Sequence, residues 1–155
     1  MALPQDKRFE VSQEPLFIAL PVFIDVLFLI AALAAHGILR ILLLGILVAL
    51  LYLLYRQLKP VLTSYRFVMT PKTIWIENVA GKKVREVDWK KVEAAAAGYK
   101  VTLKRIYLYN FYFRVKKEED LIFAVTTMKP DLASRFQNFI RVFVRKKIPV
   151  QIVKP

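Results

Sequence analysis

Two long apolar stretches dominate the first third of the chain. The first runs from Leu16 to Ala35 and the second from Ile41 to Tyr55, separated by the short segment 36–40. A bilayer core about 30 Å thick needs roughly 20 apolar residues in an α-helix. The first stretch has that length. The second reaches it when the residues after Gly37 are included and the side chain of Arg40 extends towards water.

These stretches predict a transmembrane helical hairpin over residues 16–58, behind a polar leader, residues 1–15. A buried hairpin in the core of a soluble protein is the alternative, but about 100 remaining residues offer too little cover for it. A cleaved signal peptide fits poorly, because a second apolar stretch follows the first at once. We expect the leader to lie at the membrane surface or to pack on the soluble part.

Positive charge lies almost wholly behind the hairpin. Residues 1–55 carry a net charge of −1, which leaves +14 on residues 56–155 within the total of +13. Cytoplasmic segments retain Lys and Arg, so we expect a multi-pass protein of an inner or plasma membrane with both termini in the cytoplasm. The chain has no cysteine, which excludes disulfides, thiolate nucleophiles and cysteine-ligated metal sites.

Beyond Pro60, which is expected to end the second helix, the apolar period changes to two. Alternating and β-branched segments predict strands over 64–70, 73–79, 83–87, 100–115 and 121–127. Asp88 is expected to cap one helical turn that reaches Val92. The segment 93–99 fits either a helix, because it holds four alanines, or a strand.

A single amphipathic helix is predicted near the C-terminus. It opens at Pro130 and ends before Pro149. Its apolar stripe consists of Leu132, Phe136, Phe139, Ile140 and Phe143. The tail, residues 149–155, is expected to form a short edge strand or to trail. The pattern predicts an α+β membrane protein in which six or seven antiparallel strands, as a sheet or partly open barrel, are capped by this helix.

Several sequence segments resemble bacterial pleckstrin-homology-like domains. The segments are a tyrosine-led strand ending in Thr70 (SYRFVMT), TIWIEN, a GKK turn, VREVDWKKVE and the final amphipathic helix. The resemblance covers roughly Ser64 to Lys147, and the alanine run from Ala94 to Ala97 departs from it. It implies a pleckstrin-homology-like domain over residues 60–148. Such domains often sit beside paired transmembrane helices, and the family implies a binding or scaffold module.

Asp25 is the tenth of the twenty residues in the first apolar stretch, near the bilayer midplane. A charge there costs about 2.5–3.5 kcal/mol on insertion scales, and such residues usually face protein or water. Arg40 and Arg56 are each about half a bilayer away along the axis. Three interpretations stay open: a polar contact with another subunit, a proton-handling group, or a protonated side chain bonded to a helix carbonyl. Pro21 favours the last, because it frees the carbonyl of Phe17.

Two basic clusters are candidate contacts with lipid. The resemblance places Lys82, Lys83 and Arg85 on the first hairpin of the domain, where eukaryotic pleckstrin-homology domains grip phosphoinositide head groups. The alternative is a solvated turn near anionic lipid, with about 1 kcal/mol of attraction per cation. The second cluster, at the end of the last helix, is expected to lie at the membrane surface rather than to bind nucleic acid. It consists of Arg141, Arg145, Lys146 and Lys147.

The strand before the KKEED turn is unusually aromatic. One face carries Tyr107, Tyr109, Phe111 and Phe113, and the other carries Leu108, Asn110, Tyr112 and Arg114. Packing against the C-terminal helix is expected for at least one face. The aromatic set is the candidate for a contact surface with protein or lipid. Stacking on nucleic-acid bases is an alternative.

Catalytic chemistry has few candidate residues. His36 is the only histidine, the four glycines are scattered, and the acidic run 118–120 is typical of a solvated turn. The sequence therefore predicts a non-enzymatic, membrane-anchored interaction module, an accessory or assembly subunit of a larger membrane complex. Its expected partners are membrane lipid and other membrane-protein subunits, with no cofactor, metal or nucleic acid. The alternative is a sensor of anionic lipid head groups through the basic hairpin.

Overall fold

The computed structural model describes residues 8–103, 105–144 and 148–153. The chain divides into two compact units. The helical hairpin runs from Glu14 to Leu62. The sheet unit combines the segment up to Gln13 with the segment from Thr63 onward, so the hairpin is inserted into the sequence of the sheet unit.

Two helices, α1 (Pro15–Ala34) and α2 (Gly37–Thr63), form the hairpin. Both are long and apolar enough to cross a membrane, and only 11% and 6% of their apolar windows are buried. The core helices of a soluble protein would be mostly covered, and these two helices are not. Gly37 starts α2 with φ at +63°, a left-handed conformation that glycine adopts at least cost.

Pro60 lies inside α2, which continues to Thr63. The expected helix end at this proline is therefore wrong. Proline removes one N–H donor and crowds the carbonyl four residues earlier. Pro60 lies only three residues before the end of α2. Few helical hydrogen bonds follow it, and the last turn therefore forms despite the proline.

The first sheet contains β1 (Phe9–Ser12), β2 (Arg66–Met69), β3 (Thr73–Glu77) and β4 (Lys83–Asp88), in that order. All neighbours are antiparallel. Strand β1 comes from the leader and pairs Phe9 with Met69. The Gln13 N–H donates to the Tyr65 carbonyl at 2.9 Å and extends the pairing by one step. The leader residues 8–13 thus belong to the sheet, and residues 1–7 lie outside the described chain.

The second sheet has the order β7-β6-β5-β8. Its strands are β5 (Val92–Thr102), β6 (Ile106–Val115), β7 (Leu121–Thr127) and β8 (Val150–Val153). The predicted helical turn before it is confirmed as a 3-10 turn, Trp89–Lys91, where Asp88 accepts from the Lys90 N–H at 2.7 Å. The tail supplies β8, which pairs with β5 in parallel and corrects the expectation of an all-antiparallel sheet.

The ambiguous alanine segment is a strand. Ala95 and Ala97 are buried in the core, while Ala94 and Ala96 are half-buried on the opposite face. Every second alanine therefore meets the core, and the ladders to β6 and β8 satisfy its backbone. Tertiary pairing outweighs the helical preference of alanine here.

Helix α3 (Leu132–Phe143) covers the core between the sheets. Four residues of its predicted stripe are buried: Leu132, Phe136, Phe139 and Ile140. The ring centroid of Phe136 lies 4.9 Å from that of Phe111 on β6, and 6.1 Å from that of Phe9 on β1. The leader strand, the second sheet and the helix thus share one aromatic core.

Phe9→Ala is expected to destabilise the sheet unit by about 3–5 kcal/mol, because it leaves a cavity among four aromatic rings. Glu10→Ala on the same strand is the matched control. That side chain points outward to Arg8 and Arg66, and its loss should cost about 1 kcal/mol or less. Denaturant unfolding followed by tryptophan fluorescence measures both. Equal effects of the two substitutions would contradict the placement of β1 in the core.

Candidate functional site

Asp25 lies on the covered side of α1. Its side chain is 7% exposed, and its Oδ2 atom is buried without a hydrogen-bond partner in the described part of the chain. Ala32, two turns further along the same side, is fully buried. A buried carboxyl oxygen without a donor loses its hydration and gains nothing in return, which makes this position costly.

The less exposed positions of both helices recur at spacings of three and four, the pattern of helices packed side by side. On α1 they are Phe17, Ile18, Pro21, Asp25, Phe28 and Ala32, and on α2 they are Leu43, Leu47, Leu50, Leu54, Leu58 and Val61. We call these two stripes the seam. Within residues 15–63, all of which the structure describes, Asp25 is the only seam position with a polar side chain.

This geometry limits what Asp25 can do chemically. A carboxyl in an apolar seam can accept a hydrogen bond or ion pair from a neighbouring chain, or it can hold a proton and donate to a backbone carbonyl. The seam offers it no cation, because Arg40 and Arg56 are exposed and outside both stripes. All three interpretations of Asp25 stay open, and each needs a group other than the seam side chains: a partner subunit, an exchangeable proton, or a backbone carbonyl.

The predicted basic cluster on the β3–β4 hairpin does not act as one group. Lys83 lies on the outer face of the first sheet, with its Nζ atom 4.3 Å from the centroid of the Trp75 ring and 3.0 Å from Glu86 Oε1. Arg85 bonds elsewhere: its Nη1 atom donates to the carbonyl of Asp120 at 3.0 Å, and Nη2 donates to that of Glu119. The structure thus gives these two cations different intramolecular partners.

The position of the hairpin also changes the expectation. The β3–β4 turn is not the first hairpin of the domain, because the hairpin of β2 and β3 precedes it. The β3–β4 turn lies at the end of the first sheet where β1 ends and β2 begins. Arg66 at the start of β2 pairs with Glu77, which in turn pairs with Lys83. Lys82, exposed in this turn, donates its N–H to Asn78 Oδ1 at 2.9 Å.

Asp120 is a side chain that sequence reasoning missed, because it looked like part of a solvated acidic turn. It accepts from the Tyr112 hydroxyl and, at 3.2 Å, from the Val115 N–H. These two bonds, led by that of Tyr112, lower the pKa of Asp120, and the nearby cations Arg114 and Arg85 lower it further. These bonds hold the β6–β7 turn against β6, while the bonds from Arg85 to the carbonyls of Glu119 and Asp120 connect the same turn to β4 of the other sheet.

Lys91 and Glu118 form a second link at this corner. Their side chains are 2.5 Å apart, and the Lys116 N–H donates to the Lys91 carbonyl at 2.8 Å. The mutual hydrogen bond and charge attraction raise the pKa of Lys91 and lower that of Glu118. Both side chains are exposed, so this pair orients the turn more than it stabilises the fold.

The aromatic set on β6 lies inside the core. Tyr109, Phe111 and Phe113 are fully buried, and Tyr107 is half-buried against them. The prediction that this face is a contact surface is wrong for the three buried side chains, because α3 and the first sheet cover them. The Tyr109 hydroxyl donates to the Pro130 carbonyl at 2.8 Å, and burial raises the pKa of this tyrosine.

The remaining candidates are dispersed. Arg141 is exposed on α3, while Arg145, Lys146 and Lys147 lie outside the described residues. His36 is exposed in the link between α1 and α2. No group of three or more metal-ligating side chains occurs in the described ranges.

Comparisons with protein-family models, with curated proteins and with solved structures found no match to this chain. The functional conclusion therefore depends on the geometry of these residues.

Asp120→Asn is expected to lower stability at neutral pH and to flatten its pH dependence in acid. The folded-state pKa of Asp120 is lowered, so its contribution is fully present above the unfolded value of 3.8 and is lost as pH falls through the folded pKa. The difference between wild type and variant should therefore begin to shrink below about pH 4 and disappear only below the folded-state pKa. Denaturant midpoints measured from pH 7 to pH 3 give the two profiles.

Glu119→Gln is the matched control, because its backbone carbonyl, which the substitution keeps, accepts the bond from Arg85. Its profile should follow that of the wild type. If the stability of Asp120→Asn runs parallel to that of the wild type at every pH, the bonds from Tyr112 and Val115 do not lower the pKa of Asp120.

Proposed function

We propose that the chain is a non-enzymatic, membrane-anchored interaction module, an accessory or assembly subunit of a larger membrane protein complex. In this proposal the protein is multi-pass, resides in an inner or plasma membrane, and has both termini in the cytoplasm. The observation that carries it is Asp25, a buried carboxyl without a hydrogen-bond partner among the described residues, in a hairpin that is otherwise apolar along its seam.

Burying the Asp25 carboxyl has a free-energy cost. An unpaired polar group buried away from water costs about 1–3 kcal/mol, and more when it is charged. A leucine at position 25 would avoid the cost and continue the apolar stripe. A hydrogen-bond donor on a neighbouring membrane helix would offset this cost, and it is present only in the assembled complex. Asp25 would therefore favour the complex over the separate chain. Because the side chain is 7% exposed, such a donor reaches it at the edge of the seam.

The orientation is supported by charge. The hairpin residues 14–62 carry few cations, whereas the segment from residue 56 onward is strongly basic. Cytoplasmic retention of Lys and Arg then leaves only the link around His36 on the far side. The sheet unit joins the hairpin at Gln13 and Thr63, which places it on the cytoplasmic side in this proposal.

A pleckstrin-homology-like identity for the sheet unit is part of the proposal. Its support is the order of elements: two four-stranded sheets packed around one core, with a helix over it after the seventh strand. Strand β8 is an addition to that order. In this comparison the helical hairpin occupies the first connection between strands, β1 to β2. A domain of this kind acts by binding or scaffolding.

The alternative function, a sensor of anionic lipid head groups, stays a prediction. It is favoured by the location of Lys82 at the sheet end where the chain passes to the helices. It is weakened by the intramolecular partners of Lys83 and Arg85, because a head group would compete with them. Saturable, head-group-specific vesicle binding that is lost in Lys82→Gln would support it.

Asp25→Leu is expected to release the partner subunits while leaving the hairpin folded. Leucine removes the unsatisfied carboxyl, so the substitution stabilises the isolated hairpin and separates loss of binding from loss of folding. The measurement is a pull-down of the tagged full-length chain in mild detergent, with mass spectrometry of the proteins that accompany it. A defined set of membrane proteins should follow the wild type and be absent from the variant.

Two further variants sharpen the result. Phe23→Leu changes a 59% exposed side chain of the same helix and should retain the partners. Asp25→Asn keeps the size and the hydrogen-bonding capacity but not the charge, so it separates a hydrogen bond from an ion pair. If Asp25→Leu retrieves the same proteins as the wild type, or if the wild type retrieves none, the subunit proposal fails.

A further inference from the structure

The hairpin formed by β5 and β6 extends beyond the strands on either side of it. Strand β8 pairs with β5 only as far as Gly98, and β7 pairs with β6 only from Tyr107 onward. The pairing of β5 with β6 continues to Thr102 and Ile106. The end of this hairpin, which we call the tip, therefore projects from the second sheet without a neighbouring strand among the described elements.

Leu103 occupies the turn at the tip and is 81% exposed, more than any other large hydrophobic side chain in the described chain. Its exposure exceeds that of every large apolar side chain on the two membrane-spanning candidates. Val101, two residues earlier, is 46% exposed. Leu103 also has a φ of +51°, a left-handed conformation that a bulky residue adopts at a cost. Glycine or asparagine would suit this turn better, so an exposed leucine here calls for a functional explanation.

Cations surround this apolar tip. Lys100 is exposed on β5, and Arg105 is exposed in the turn that precedes β6. The sequence contains no acidic residue from position 94 to position 117. Beneath the tip, Tyr99 and Tyr107 are half-buried, with ring centroids 6.3 Å apart. This order of groups matches a bilayer surface, where apolar side chains enter the acyl region and tyrosines and cations lie at the level of the head groups.

We propose that the tip of the β5–β6 hairpin is a second membrane contact, which inserts Leu103 and Val101 into an anionic lipid surface. Lys100 and Arg105 pair with lipid phosphates, and the tyrosines lie at head-group depth. This contact is separate from the β3–β4 turn, and it orients the sheet unit on the membrane that anchors the helices. It rests on the proposed membrane location of the chain.

A lipid surface fits the tip better than a protein partner does. One leucine and one valine offer far less area than a stable protein interface buries, about 800 Å² per partner. A bilayer requires no matching shape, and a chain already anchored in it meets that surface at a high effective concentration. The basic charge of the tip selects anionic head groups.

The absence of cysteine permits a clean test with single labels. Full-length Leu103→Cys, labelled with an environment-sensitive fluorophore, is reconstituted into nanodiscs of phosphatidylcholine with and without phosphatidylglycerol. Co-elution of the chain with the discs reports membrane residence by itself. The label should shift to the blue and be quenched by lipids that carry a quencher on the upper acyl chain, more strongly with phosphatidylglycerol.

Lys117→Cys provides the matched control. It lies at the other end of β6, is exposed, and has a φ of +59°, so it shares the backbone conformation but not the apolar chemistry. Its label should keep a water-like emission in both kinds of disc. Equal emission and quenching at the two positions would overturn the proposal, even where co-elution shows that the chain is in the discs.

Unlabelled variants test the chemistry of the tip. Leu103→Asn suits the left-handed backbone, so it should keep or raise thermal stability while a label at Val101→Cys loses its quenching. Lys100→Gln combined with Arg105→Gln should abolish the difference between the two lipid compositions. A blue shift that occurs in native membranes but not in lipid-only discs would also overturn the proposal and point to a protein partner.

Discussion

The pairing of β1 with β2 is the constraint on which the rest of the structure depends. Gln13 and Tyr65 are joined by a backbone bond, although 51 residues lie between them in the sequence. The helical hairpin is therefore closed at its base by a sheet ladder. Closing a connection of this length costs chain entropy, and the burial of Phe9 and Val11 in the core beside β2 compensates for it. The same burial completes the aromatic core that α3 covers.

The corner built around Asp120 has a comparable role between the two sheets. Arg85 on β4 donates to two carbonyls of the β6–β7 turn, and Tyr112 and Val115 hold the carboxyl of Asp120 from the other side. Charge-assisted bonds of this kind fix orientation as well as adding energy. Arg85, which the sequence groups with Lys82 and Lys83 as a lipid-binding cluster, thus connects the two sheets instead. Its side chain is for this reason directed away from that of Lys83.

Much of the architecture could be predicted from periodicity. The two apolar stretches, the alternating strands and the stripe on α3 each have a local signal, because one face of each element meets a single environment. Strand β1 has too short a pattern to be recognised, and its partner lies beyond the helices. The alanine run lacked a local signal, because pairing with β6 and β8 decides its conformation. The partners of Arg85 and Asp120 depend on which strands meet at a corner, which no spacing in the sequence encodes.

Candidate site residues are likewise predictable only where the signal is local. Asp25 can be identified from the sequence because its neighbours in the chain are all apolar. Recognising it does not require the structure of the sheet unit. The aromatic face of β6 was misassigned, because alternation identifies two faces but does not say which one the core covers. Nothing in the sequence marks Leu103 as a site residue, because a leucine close to a valine and a lysine is ordinary in a strand. Only its exposure and its left-handed backbone distinguish it.

Asp25 and Leu103 violate opposite rules: one is a carboxyl buried without a partner among the described residues, and the other is a large apolar side chain left in the open. Elsewhere, propensity, burial and hydrogen bonding mostly agree along the described chain, and local exceptions tend to mark functional positions. In the two proposals each exception is relieved by a different part of a membrane: a donor on a neighbouring helix satisfies the acid, and a lipid surface covers the leucine. Their relief is independent, so loss of either contact should leave the other in place.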